Sequence, residues 1–193
     1  LDELLDHLKI DKFILYGVSM GAPIAVQYSN DHIDRSLAVG IQVPVVHIDN
    51  NIFKILNVPI VGEIMMRFFG LPLIKKRALE WNKDESINED FIEKYINQLS
   101  LPGTEHALLS ASRNLFPKNY EYIYEVFSKN KIPFHIAYAD DDTEVSPDSV
   151  RAIIKINNDA DVFMFTGGHG GSAKIPDKIV NVFESFLSKN LNQ

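Results

Sequence analysis

The sequence predicts an α/β fold in which a mostly parallel sheet is flanked by helices. Three observations carry that expectation. Short runs that are apolar on both faces stand near the N-terminus, at residues 13–16 and 37–43, as buried parallel strands require. Alternation of strand and helix patterns returns in the last third of the chain. Between the two lies a long stretch of helical periodicity that reads as an insertion in the sheet.

Each element has its own justification. Leu1, Leu4, Leu5 and Leu8 follow helical spacing, with Asp2, Glu3, Asp6 and Lys9 between them, so the chain opens on an amphipathic helix. The strand Phe13-Ile14-Leu15-Tyr16 runs into Gly17-Val18-Ser19-Met20-Gly21 and then a helical stretch at residues 22–28. Pro23 fits there, because the first turn of a helix has no intrahelical use for its N–H. Residues 37–43 give the next strand. From residue 44 to 131 the helical pattern is broken by Pro59, Gly62, Gly70, Pro72, Pro102, Gly103 and Pro117. Met65, Met66, Phe68, Phe69 and Leu71 crowd together inside it. A strand at 134–139, a helix at 146–156, a strand at 162–165 and a helix at 177–187 complete the pattern. The expected organisation is therefore core at 1–43, a helical lid or cap at 44–131, and core again at 132–193.

Composition narrows the function. Nineteen Lys and Arg against 26 Asp and Glu give a net charge of −7, which disfavours nucleic acid or an anionic membrane as partner. The absence of cysteine excludes disulfides, thiolate catalysis and Cys-ligated zinc. The uncharged run at 36–48 is far shorter than the roughly 18 residues of a membrane span. No cofactor or metal is called for, and no integral membrane segment is expected. The lack of cysteine and of a signal-like start points to the cytoplasm. The opening Leu1-Asp2-Glu3 is neither an initiator Met nor a basic leader.

The chemistry is concentrated at three strand ends. Gly17-Val18-Ser19-Met20-Gly21 is a G-x-S-x-G motif between a strand and a helix, where a tight turn projects the serine above the sheet. Small residues two before and two after are expected because the turn leaves them little room. The Met20 N–H, at the helix N-terminus, is the candidate oxyanion donor. An ordinary turn with two glycines is the competing reading, and the strand before and helix after favour the elbow. A serine nucleophile needs a base and an orienting acid. The run Asp140-Asp141-Asp142 and the segment Gly167-Gly168-His169-Gly170-Gly171 each follow a predicted strand. Alone, the first reads as a solvated acidic turn and the second as a possible phosphate cradle, but the latter lacks the P-loop Lys-Ser/Thr pair. Their convergence with Ser19 at strand ends favours chemistry. His7, His32, His47, His106 and His135 lack such a context and read as structural or surface residues.

On these motifs the chain resembles the α/β-hydrolase fold superfamily, in its serine-nucleophile, lid-containing branch. The helix, strand, G-x-S-M-G and helix of residues 1–28, the acid loop with Val-x-Pro at 142–147, and the Gly-His loop before a C-terminal helix carry the resemblance. It implies that Asp142, rather than Asp140 or Asp141, is the acid, and that residues 44–131 form a helical lid. It also implies that the chain begins partway through that fold, as its C-terminal portion, ahead of which the family carries further strands and a second oxyanion donor. Ala22 stands where the family often has a further glycine. The expected function is a serine hydrolase cleaving an ester or related small acyl substrate through an acyl-enzyme on Ser19, with His169 as base and Asp142 orienting it. Met65, Met66, Phe68 and Phe69 are candidate contacts for an apolar substrate, with packed lid core as the competing reading. By the same resemblance, a serine nucleophile argues against dehalogenases and epoxide hydrolases of this fold, which use aspartate. The alternatives are a non-catalytic ligand-binding protein of this fold and an inert fragment.

Overall fold

The computed structural model describes residues 1–48, 50–81, 87 and 89–191. The chain divides into two compact units, Leu1–Ile48 with Asn119–Gln193, and Asp49–Lys118.

The first unit opens with α1 (Asp2–His7), β1 (Phe13–Val18), α2 (Gly21–Asp31) and β2 (Ser36–Gln42). The second unit carries α3 (Ile52–Leu56), α4 (Val61–Met65), a π turn (Met66–Gly70), α5 (Leu71–Trp81), α6 (Glu89–Leu99) and α7 (Thr104–Asn114). The first unit then resumes with α8 (Glu121–Phe127), β3 (Phe134–Ala139), α9 (Pro147–Ile156), β4 (Asp161–Phe165), a 3-10 turn (Gly171–Lys174) and α10 (Pro176–Leu191). The four strands are parallel and lie in the order β1-β2-β3-β4. This is the parallel sheet with flanking helices that the apolar runs predict.

Helices cover both faces of the sheet, and adjacent residues of β3 make the point. Phe134 packs on Phe127 of α8 at 4.6 Å between ring centroids, whereas His135 meets Phe183 and Phe186 of α10. Successive strand residues point to opposite faces, so α8 and α10 lie on opposite sides. Gly40 of β2 has a packing reason: a Cβ there would stand 2.5 Å from both the Phe183 and Tyr16 rings. Those two rings meet edge to face at 4.7 Å over it. All six residues of β3 are buried, as its continuous apolar run predicts. β1 and β4, at the two ends of the strand order, leave Ile14, Val18, Val162 and Met164 exposed.

The helical segment expected at 44–131 is wider than the compact unit at 49–118. The difference has a physical cause at each side. Val45 and Val46 are buried, and Val46 O accepts the Tyr120 N–H at 2.8 Å. α8 packs with α2: Asn30 Nδ2 donates to Ile123 O at 2.9 Å, and Asn130 Nδ2 donates to Asn30 Oδ1 at 2.8 Å. Helical periodicity alone does not distinguish a helix of the sheet's own layer from one of an insertion.

The second unit has its own core. Leu56, Met66 and Leu109 are buried together, with Phe53, Met65 and Leu108 packed against them. Arg113 ties α7 to the α3–α4 corner, its Nε donating to Leu56 O at 2.6 Å and its Nη1 to Glu63 at 2.9 Å.

Candidate active site

Ser19 sits between β1 and α2 with φ of 52°, a left-handed conformation costly to a residue with a Cβ. The surrounding backbone holds it there. Its N–H donates to Gln42 O at 2.8 Å, and its carbonyl accepts from Ala22 N at 3.1 Å and Val45 N at 3.2 Å. Gly17 is required: a Cβ on it would lie 2.4 Å from Gly21 O. Gly21 departs from the expected rule, since a Cβ there would meet nothing within 4 Å. The close approach in this turn is made by the glycine before the serine against the backbone of the one after it.

Three strand ends bring Ser19, His169 and Asp142 together. His169 Nε2 lies 2.8 Å from Ser19 Oγ, and His169 Nδ1 lies 2.8 Å from Asp142 Oδ2. The Asp142 side chain is 3% exposed and that of His169 is 20% exposed. Burial raises the Asp142 carboxyl pKa. Hydrogen bonds from His169, Val145 N and Glu144 N outweigh burial and hold it below the ordinary aspartate value. An ionised carboxylate only accepts, so Nδ1 carries the imidazole proton and Nε2 presents its lone pair to the Ser19 hydroxyl. Such a chain is chemically able to draw the proton from the serine as it attacks a carbonyl. Met20 is the N-cap of the 11-residue α2, where the partial positive charge of the helix end is strongest.

The other candidates belong to the second unit. Met66 is 5% exposed and is part of that unit's core, and Met65 packs against the same cluster. Phe68 and Phe69 are exposed, at 63% and 61%. Among the described residues no group of three or more His, Cys, Asp or Glu side chains could hold a metal ion, and no helix is long and apolar enough to cross a membrane.

Two features were not anticipated from the sequence. The Gly167 and Gly168 N–H groups, read as a possible phosphate cradle, are already occupied by the Asp141 carboxylate at 2.9–3.0 Å. Gln42 is the second. This buried amide at the end of β2 donates to Ser172 Oγ at 2.7 Å and accepts from Tyr16 OH at 3.0 Å. A lone glutamine inside the apolar run at 37–43 was the available signal for it.

No family model matches the chain, and no curated protein matches it. Solved structures of the same shape do. An enol-lactonase from Burkholderia xenovorans LB400 is similar at a TM-score of 0.71 and 17% identity, over 96% of this chain and 69% of that one. An esterase from Thermogutta terrifontis gives 0.72 and 18%, over 96% and 68%. A haloalkane dehalogenase from Agrobacterium tumefaciens C58 gives 0.75 and 16%, over 97% and 70%. The chain has the α/β-hydrolase fold. Those neighbours differ in the bonds they are named for, so the fold does not choose among them.

Proposed function

We propose that the protein is a serine hydrolase that cleaves an ester or related small acyl substrate. The observation that carries this reading is the continuous hydrogen-bonded chain from Asp142 through His169 to Ser19, at 2.8 Å for each link. Ser19 Oγ attacks the carbonyl carbon while its proton passes to His169 Nε2. The developing oxyanion accepts the Met20 N–H. Collapse of the intermediate breaks the ester bond, and the leaving oxygen takes the proton from His169. Water then attacks the acyl carbon as His169 takes its proton, and the acyl–Oγ bond breaks with that proton returning to Ser19 Oγ, which releases the acid. Asp142 keeps the imidazole in the productive tautomer and offsets its charge. The lactonase and esterase neighbours support hydrolysis as the reaction class, and the serine in the elbow favours acyl chemistry over dehalogenation.

Hydrolysis of short p-nitrophenyl esters tests this. The expected result is a burst followed by steady turnover, abolished in Ser19→Ala. In Asp142→Asn the rate should fall about 10³- to 10⁴-fold, because the amide favours the wrong imidazole tautomer. Turnover that survives Ser19→Ala would overturn the reading.

A further inference from the structure

The second aspartate of the acidic run has a different task from the third. We propose that Asp141 is a positioning residue for His169, acting as a built-in anion that holds the loop on which the histidine stands; the proposal rests on the hydrolase reading above. Gly167 and Gly168 have φ of 114° and 69°, and their successive N–H groups turn toward one point. Such a concavity binds anions. Here the Asp141 carboxylate fills it: Oδ1 accepts from both Gly167 N and Gly168 N, and Oδ2 accepts from Gly167 N. These bonds hold its carboxyl below the ordinary aspartate range, which marks a carboxylate engaged as an acceptor although its side chain faces solvent.

The far side of the loop is fastened separately. Gly171 N donates to Gly168 O at 3.0 Å, and Ser172 Oγ is held by Gln42. A Cβ on Gly171 would lie 2.8 Å from Thr166 O, so the loop closes tightly on itself. His169 stands between the two anchors. The glycines before it have the most conformational freedom to lose, and Asp141 restrains them. Asp142, the next residue, binds the imidazole itself. One short segment thus holds both the backbone and the ring of the histidine.

The test compares the protein with Asp141→Ala, Asp141→Asn and Asp141→Ser, using His169→Asn to assign signals. Two quantities are read: the rate of Ser19 labelling by a fluorophosphonate, and the far-downfield proton resonance of His169 Nδ1–H bound to Asp142. Thermal melting checks folding. In Asp141→Ala the labelling should slow about 10- to 100-fold, the scale of a small misplacement of a reacting group. The resonance should broaden or vanish while the protein remains folded. Asp141→Asn keeps an oxygen for both N–H groups and should recover part of each. Should Asp141→Ala fail to fold, Asp141→Ser, too short to reach both donors, is judged by the same criteria. An unchanged resonance overturns the proposal, whatever the rate. If the unmodified protein does not label at all, the hydrolase reading fails, and the resonance still decides whether Asp141 positions His169.

Discussion

Ser19 and Gly17 share one constraint. The serine adopts a left-handed backbone, and the turn that imposes it brings position 17 against the backbone of position 21. A Gly17→Ala substitution forces a methyl against Gly21 O, a backbone atom that cannot swing aside. It should destabilise by about 1–3 kcal/mol, as overpacking does. Gly21→Ala meets open space and should change stability by less than about 0.5 kcal/mol. Urea unfolding of both variants checks the contrast, and equal losses would refute the geometry given for the turn. Asp141 was legible only as a member of a run of acids. Spacing alone does not separate an acid that meets an imidazole from one that caps two backbone N–H groups. The Val-x-Pro register singled out Asp142, and nothing in it spoke of Asp141.

At the scale of elements, the strands were legible because burial on both faces writes itself as an apolar run. Residues 134–139 were expected as a strand and are β3. α9 was expected from the alternation of strand and helix, and the structure adds its cap. Ser146 Oγ accepts the Asp148 N–H at 3.3 Å, and Pro147 occupies the first helical position. Ser146→Ala should therefore cost about 1 kcal/mol in chemical unfolding. No loss would mean that the cap bond contributes nothing to the helix. α8 was less legible. Its periodicity matches that of the second unit, but it packs on α2, where Asn30 bonds Ile123 O across 93 residues of chain. Long-range partners of that kind leave no local mark. Met66 teaches the same lesson: from the sequence it was one of four apolar residues, and only packing on Leu56 and Leu109 distinguishes it from exposed Phe68.

At the scale of the whole molecule, stability carries a pH dependence of its own. His135 is 1% exposed between β4 and the rings of α10, with Nδ1 at 2.7 Å from Asp161. Burial lowers its imidazole below the ordinary value of 6.5, against the raising influence of Asp161. The unfolded chain then binds more protons than the folded one between those two values. Stability is full above 6.5 and falls as pH drops through that window. Urea midpoints from pH 7.5 to 5 should record the fall, and His135→Gln should flatten it. An unchanged slope in that variant would place the dependence elsewhere.

The central claim, that Ser19 is an activated nucleophile, has a more direct test than turnover. It is the intact mass of the protein after incubation with a fluorophosphonate, beside that of Ser19→Ala. The account predicts one phosphonyl adduct on the protein and none on the variant. A folded protein that takes up no adduct, or a variant that takes up the same one, would contradict it.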